Sequence, residues 1–262
     1  MDILRRNLAP ISDQAWAEID ELAADYLRGS LSARKVVDVA GPFGWDHHAV
    51  ATGRLEGLAE SNGVSYGLHQ VLPLVEARIP FQLNIWELDN AVRGARDIDL
   101  DPLEEAAEKA AKFEDELVFK GFSKAKIDGI IGSAEGKGNA FPKDPEKILE
   151  EVSGAVSTMV SNGIGGPYAL VVTPDLWQRL TSYIKGRPLK THLEELLQGK
   201  VVLSAHVDAP LLISMRGGDF VLTLGQDLSI GYETHETKTV SLYITESLTF
   251  QVFEPRAVVP FG

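Results

Sequence analysis

Apolar and polar residues alternate along one long segment near the C-terminus. From Val240 to Val252 every second residue is apolar except Glu246, and the residues between them are mostly polar. This period of two predicts a single β-strand, much longer than the usual five or six residues. At about 3.3 Å per residue this strand would be roughly 43 Å long. So long an extended element suits a protein that forms a thin wall better than one that forms a pocket. Glu246 interrupts the apolar face, so we expect it at a sheet edge or in an ion pair between subunits.

Helical periodicity predicts two strong amphipathic helices, over residues 13–28 and 101–120. The first has Ser12 as its expected N-cap, and the second has Asp101 as cap with Pro102 in the first turn. Further helices are predicted at 145–161, from 174 towards 185 and at 192–198, and further strands at 168–172, 200–205, 210–215 and 219–224.

Two segments lack a helical face. Residues 30–45 resemble an extended arm that turns at Gly41-Pro42, and residues 46–80 form a glycine-bearing, two-stranded excursion. A lone hairpin is marginal in water, so we expect neighbouring subunits to hold it. Residues 133–144 predict a surface loop at a subdomain boundary. Helices mixed with mostly antiparallel strands indicate an α+β protein and not a regular βα repeat.

Composition narrows the function classes. The chain has 262 residues, a formal net charge of −13 and no cysteine. The acidic balance argues against nucleic acid as a partner. No apolar run reaches the roughly 20 residues that span a bilayer, and the first residues lack the apolar core of a signal peptide. We therefore expect a cytoplasmic protein with no membrane partner.

Motifs for catalysis are missing from the sequence. His47-His48 are adjacent, and neighbours on an extended chain point to opposite faces, so a metal site is not expected. The carboxylate groups Glu87/Asp89 and Glu114/Asp115/Glu116 are interpreted as solvated helix charge or ion pairs between subunits, in preference to an acid pair for hydrolysis. The sequence predicts no catalytic residue.

Five blocks of sequence together resemble a known family. They are Leu8-Ala9-Pro10 through Trp45, Leu83 to Gly94, Phe113 to Gly121, Gly163 to Tyr168, and the C-terminal block from Gly217-Gly218-Asp219-Phe220 through Gly225-Gln226-Asp227-Leu228-Ser229-Ile230-Gly231-Tyr232 to Phe250. The blocks fall in family order over essentially the whole chain. On them the chain resembles the encapsulin shell proteins, once described as linocin-like bacteriocins.

That resemblance implies the HK97-type fold of tailed-phage capsid proteins. It assigns residues 1–45 to an N-terminal helix and arm, 46–80 to an extended loop, 81–130 and 206–262 to a peripheral domain, and 131–205 to an axial domain. It also implies self-assembly of about 60 copies, or a small multiple, into a closed icosahedral cage. The cage would enclose a cargo enzyme, a dye-decolorising peroxidase or a ferritin-like iron-oxidising protein.

The resemblance implies two binding or transport sites. A luminal groove beside the N-terminal helix would hold the cargo's short, largely aliphatic C-terminal targeting peptide. The residues assigned to it are Tyr26, Leu27, Leu31, Arg34, Val36, Asp38, Val39, Leu228, Ile230 and Tyr232, with Arg34 and Asp38 at its rim; the alternative is that they fill the core. A turn lining the fivefold pore would contain Tyr183, Ile184, Lys185, Gly186 and Arg187, with positive charge from Lys185 and Arg187, or be an ordinary solvated turn.

Trp86 marks a further point of the resemblance. Some family members hold a flavin near the matching position, but nothing in these residues requires one, and no cofactor is expected. Two other functions are left as alternatives: a protease or bacteriocin, and a true phage major capsid protein. Missing nucleophile and metal motifs count against the first of them.

Overall fold

The helices lie largely where the apolar periodicity predicts them. The computed structural model describes residues 2–181, 183–184 and 186–262, without the side chains of residues 146, 183 and 184. The α-helices are α1 (Asp13–Ser30), α2 (Ile85–Val92), α3 (Asp101–Lys120), α4 (Ile130–Ser133), α5 (Pro145–Ser161), α6 (Pro174–Leu180) and α7 (Leu189–Leu197). Short 3-10 turns occupy Arg6–Leu8, Ala33–Lys35, Ser123–Ala125 and Pro255–Ala257.

The helix ends show where local sequence rules hold and where they fail. Ser12 caps α1, its hydroxyl accepting the Ala15 N–H at 3.2 Å, as predicted. The cap of α3 is Leu100 and not Asp101, although Pro102 lies in the first turn as expected. Helix α2 was not predicted; the Asn84 side chain caps it by accepting the Trp86 N–H at 2.9 Å. Helix α6 ends at Leu180, whereas the sequence predicted that it would continue towards residue 185.

The strands give the fold its two main sheets and its hairpins. They are β1 (Asp38–Ala40), β2 (Ala49–Ser61), β3 (Val64–Pro73), β4 (Val75–Asn84), β5 (Gly121–Phe122), β6 (Ile127–Asp128), β7 (Tyr168–Val172), β8 (Tyr183–Ile184), β9 (Arg187–Pro188), β10 (Lys200–Leu203), β11 (Leu211–Ser214), β12 (Phe220–Leu224), β13 (Ser229–His235), β14 (Thr239–Val252) and β15 (Val258–Pro260).

The long strand β14 is the centre of the first sheet. It pairs antiparallel with β4 along one side and with β13 and β12 in turn along the other, and β1 runs parallel to β12. The predicted length of this strand is confirmed. The expectation for Glu246 was wrong: it pairs with Ala77 in mid-strand and is 1% exposed, so it lies in the interior of the chain and not at an edge.

The second sheet has the order β10-β7-β11-β15. Strands β10 and β7 are parallel, which leaves β10 as one edge, and β11 and β15 continue antiparallel on the other side. Strand β15 joins this sheet from the end of the chain. The expected domain border at residues 205/206 therefore does not coincide with the border between the two sheets.

Two apolar clusters hold these layers together. One joins α1, α2 and the first half of α3 to β4, β13 and β14. The other joins the second half of α3, with α5, α6 and α7, to β7, β11 and β12. Because α3 contributes to both, it links the helix-covered end of the first sheet to the second sheet.

Hairpin β2–β3 extends away from both clusters. Its register runs from Ala49 opposite Pro73 to Ser61 opposite Val64, with two irregularities. The predicted two-stranded excursion is thus confirmed over 49–73, while the residues after 75 belong to the first sheet. Most of its large apolar side chains are exposed: Leu55, Leu58, Val64, Tyr66, Leu68 and Val71.

A glycine at the end of α3 gives a test of this packing. Gly121 has φ of 89°, and a Cβ there would lie 2.6 Å from the Gly129 nitrogen and 2.7 Å from the Ile127 oxygen. Gly121→Ala should therefore lower the free energy of unfolding by about 1–3 kcal/mol. Gly154→Ala, in the interior of α5 with open space around its Cβ, is the matched control and should raise it by about 0.5–1 kcal/mol. Equal effects in denaturant titrations would contradict the close approach at Gly121.

Candidate functional site

A groove runs between α1 and the outer edge of β13. It encloses about 230 Å³ and is lined by Leu4, Arg6, Asp20, Ala23, Ala24, Leu27, Leu228, Ser229, Ile230 and Ile244. The α1 residues recur at spacings of three and four, so they form one stripe of the helix. The lining is mostly aliphatic, with one ion pair at the end.

The first residues of the chain close one end of this groove. The Tyr232 N–H donates to the Leu4 carbonyl at 2.8 Å, and the Tyr243 hydroxyl donates to the Ile3 carbonyl at 3.0 Å. The Arg6 guanidinium pairs with Asp20 at 2.7 Å and lies 3.9 Å from the centre of the Trp16 ring. The N-terminal segment is thereby tied both to β13 and to α1.

Strand β13 presents free backbone groups to the groove. In an antiparallel pair, residues alternate between facing the partner strand and facing away with their backbone groups. Tyr232 points its N–H outward to Leu4, so Ile230, two residues earlier in unbroken register with β14, has its N–H and C=O on the same outer edge. An extended peptide could pair with this edge.

Only part of the residue set expected for a peptide groove meets here. Leu27, Leu228 and Ile230 line the groove. Leu31 is buried, and Val36 is 3% exposed within the other apolar cluster, so Val36 is core and has no surface to offer a ligand. The sequence reasoning missed Leu4, Arg6, Asp20, Ala23, Ala24, Ser229 and Ile244; the three-four stripe through Asp20, Ala23, Ala24 and Leu27 was the available signal for the α1 members.

The other expected groove residues have different neighbours. Tyr26 lies on a different face of α1 from Leu27 and lines a separate cavity. Asp38 accepts the Gly218 N–H at 2.5 Å, and Val39, 42% exposed, lies beside it on β1. The Tyr232 hydroxyl contacts His235 Nδ1 at 2.6 Å.

Arg34 belongs to a buried charge cluster beneath the groove and not to a free rim. Its guanidinium bonds Glu114 at 2.6 Å, Glu246 at 2.7 Å and Asp227 at 2.8 Å. Glu114 is fully buried, so its interpretation as solvated helix charge was wrong. Asp227 also accepts the Leu228 N–H at 2.8 Å. The cluster thus holds the groove wall at Leu228 in place.

Three carboxylates around one guanidinium cannot all be charged at low cost. Burial raises the pKa of Glu246 well above its usual value, and the neighbouring Glu114 raises it further through repulsion and a hydrogen bond. Burial alone would lower the pKa of Arg34, but its bonds to Glu114 and Asp227 raise it overall. Burial and the neighbouring carboxylate therefore favour the protonated form of Glu246.

Asp115, next to Glu114 on α3, also binds the N-terminal arm, the segment that contains Arg34. It accepts hydrogen bonds from the Ser32 hydroxyl at 2.6 Å, the Ala33 N–H at 2.8 Å and the Ser32 N–H at 3.1 Å. His206 Nδ1 lies 2.8 Å from Asp115 Oδ2, the oxygen that also accepts the Ser32 hydroxyl. Asp115 is fully buried and its partners lie within the chain, so its interpretation as solvated helix charge or as half of an ion pair between subunits was wrong.

Comparison with known proteins gives the family. A family profile described as "Encapsulating protein for peroxidase" matches residues 1–249. A type 1 encapsulin shell protein of Mycolicibacterium paratuberculosis is 40% identical over 99% of each chain, and one of Rhodospirillum rubrum is 42% identical over 99% of this chain and 96% of its own. This chain belongs to the encapsulin shell protein family.

Solved structures agree on the fold of this encapsulin chain. A virus-like particle protein of Pyrococcus furiosus superposes with a TM-score of 0.69 at 20% identity, covering 94% of this chain and 99% of that one. The capsid of the myovirus XM1 gives a TM-score of 0.58 at 13% identity, over 100% and 98%. The HK97-type fold predicted from the sequence blocks is confirmed.

The hairpin expected at an encapsulin pore is only partly described. Strands β8 and β9 pair, and Gly186 takes a positive φ of 84° between them. Lys185 lies outside the described residues, and for Tyr183 and Ile184 only the backbone is described. Arg187 pairs with Glu195 at 3.0 Å, so its positive charge is partly balanced within the chain.

Three further features bear on ligands. Trp86 is 68% exposed on α2. In the described ranges, no three His, Cys, Asp or Glu side chains are arranged to hold a metal ion. None of the helices there combines the length and apolar character that crossing a bilayer requires.

The charge cluster predicts how stability changes with pH. The pKa of Glu246 is raised in the folded chain above 4.5, its usual value, so as pH rises past 4.5 the unfolded chain releases a proton that the folded chain retains. Stability should therefore fall with rising pH, by at most about 1.4 kcal/mol per pH unit, until the folded pKa is passed. Glu246→Gln should remove this slope from unfolding temperatures measured between pH 5 and 9.

An exposed carboxylate on α3 provides the control for that measurement. Glu105→Gln removes a carboxylate that is 73% exposed and should leave the slope as in the native chain. If the native chain and Glu246→Gln show the same pH dependence, Glu246 does not hold the proton.

Proposed function

We propose that this chain is the shell subunit of an icosahedral nanocompartment that forms in the cytoplasm and encloses a cargo enzyme. The observation that carries the proposal is hairpin β2–β3, whose apolar side chains find no cover in their own chain. Leu58 is 74% exposed and Leu68 63%. Exposed apolar patches of this kind mark interaction surfaces, and a lone hairpin is marginal in water.

The covering surface in this proposal is another copy of the chain. In this proposal the hairpin lies on a different patch of its neighbour, which is a heterologous contact. Heterologous contacts close into a shell when the rotation between copies permits. About 60 copies, or a small multiple, make the smallest icosahedral shells.

A paired substitution on the hairpin tests assembly. Leu58→Asp with Leu68→Asp should convert megadalton particles to small, folded subunits, because two charges would have to be buried at the contact. Ser61→Asp adds a charge to the same hairpin without removing an apolar contact, and it should still assemble. Size-exclusion chromatography with negative-stain imaging measures the particle size of both variants, and circular dichroism checks that they are folded. Particles of native size from the double variant would refute the hairpin's role.

The groove beside α1 is proposed to capture the cargo. Its aliphatic lining suits a short peptide of small apolar residues, and the outer edge of β13 offers the Ile230 backbone groups for pairing. Leu4 and Arg6 would limit how far such a peptide extends. The family description names a peroxidase, which supports a dye-decolorising peroxidase as cargo ahead of a ferritin-like protein.

The hairpin at residues 183–188 is proposed to line the pore at the fivefold axis. Its side chains Tyr183, Ile184, Lys185 and Arg187, with Gly186 at the turn, would then set which solutes pass. The Arg187–Glu195 pair supports a weaker positive field there than two free cations would give.

Cargo capture can be tested by co-expression with the enzyme encoded next to the shell gene. Leu228→Asp should abolish co-purification of the cargo with intact particles, because it places a charge in the aliphatic groove. Thr234→Asp, an exposed position further along β13, should retain the cargo. Removal of the cargo's C-terminal tail should match the effect of Leu228→Asp. Full loading of Leu228→Asp particles would contradict the assignment of the groove.

A further inference from the structure

A second, larger cavity lies between the end of α1 and the edge strand of the second sheet. It encloses about 570 Å³, within the range of roughly 300–1,000 Å³ that small-molecule sites occupy. Its lining comes from α1, α3, α6 and β10 with the residues after it: Tyr26, Gly29, Ser30, Lys35, Glu108, Trp177, Lys200, Val201, Val202, Leu203, Ala205 and His206. The α1 members form a stripe different from that of the peptide groove.

His206 is built into the wall of this cavity. Its side chain is 9% exposed, and Nδ1 is held by Asp115, which is a fully buried carboxylate. A carboxylate accepts, so Nδ1 donates and the opposite edge of the ring is the edge that can face the cavity. Among the residues that the structure describes, Nε2 forms no hydrogen bond, so it is available to a ligand in the cavity.

Two cations, Lys35 and Lys200, line the cavity. Lys35 donates to the Gly29 carbonyl at 2.7 Å, and neither Lys35 nor Lys200 forms an ion pair with any carboxylate that the structure describes. Glu108 is the one acidic residue of the lining. In a chain of net charge −13, two unpaired ammonium groups beside an imidazole make a local site for negative charge.

The remaining lining is mostly apolar. The rings of Tyr26 and Trp177 line the cavity together with Val201, Val202 and Leu203. Strand β10 forms an edge of its sheet. Its Val201 N–H already donates to the Glu194 carboxylate at 3.2 Å, so an extended peptide could not pair with the strand at that point. The site suits a compact ligand better than an extended peptide.

We propose that this cavity binds a small aromatic anion, with its phosphate or carboxylate between Lys35, Lys200 and His206 and its ring against Tyr26 and Trp177. In the complex His206 would be the imidazolium, donating from Nδ1 to Asp115 and from Nε2 to the anion. This site is separate from the peptide groove and does not depend on cargo.

Phenyl phosphate is the probe for the test, with inorganic phosphate and phenol as its two halves. Assembled particles are titrated, and binding is followed by calorimetry and by quenching of Trp177 fluorescence, assigned with Trp177→Phe. Phenyl phosphate should bind more tightly than either half and more weakly as salt rises. Lys200→Gln and His206→Asn should each weaken binding about tenfold, since each removes one charge-assisted hydrogen bond.

Lys109→Gln is the matched control, because that lysine is 66% exposed on α3 and is not among the residues that line the cavity. It should bind like the native chain, and particle imaging of every variant separates lost binding from lost assembly. The proposal is overturned if phenyl phosphate does not bind, if it binds no better than inorganic phosphate, or if Lys200→Gln and Lys109→Gln have equal effects.

Discussion

Two consecutive carboxylates on α3, Glu114 and Asp115, place the N-terminal arm of this protein. Both are fully buried, and a buried carboxylate is costly unless charge and hydrogen bonds compensate it. Their compensation comes from consecutive arm residues: Arg34 on Glu114, and Ser32 with Ala33 on Asp115. A shift of the arm by one residue would take Arg34 away from Glu114 and the Ser32 hydroxyl away from Asp115. Breaking such a pair typically costs about 3–5 kcal/mol, which fixes the arm and with it the end of α1.

The two candidate binding sites lie on either side of this anchor. Through Asp227 the Glu114 cluster holds Leu228, which is a wall of the peptide groove. Through His206 the Asp115 network shapes the wall of the larger cavity. One pair of residues therefore holds a wall of each site in place. Hairpin β2–β3 contributes nothing to this anchor, which leaves its apolar side chains available for contacts between subunits.

Local pattern was enough for elements whose partners are local. The alternation around β14, the rhythm of α3 and the cap at Ser12 were all readable in the sequence. The burial of Glu114 and Asp115 was not, because a run of acidic residues on a helix looks solvated until its partners are known, and Arg34 is 80 residues away. Val36 was misplaced for the same reason, since its contacts come from a cluster assembled from distant strands. The pairing of β15 with β11 likewise has no local signal.

Hydrogen–deuterium exchange of assembled particles carrying Asp115→Asn tests the anchor most directly. The amide has one acceptor where the carboxylate has two, so it cannot satisfy Ser32, Ala33 and His206 together. The account predicts faster exchange across residues 31–36 and the last turn of α1, while β14 and the second sheet keep their protection. Unchanged protection of residues 31–36 in folded particles would show that other contacts hold the arm.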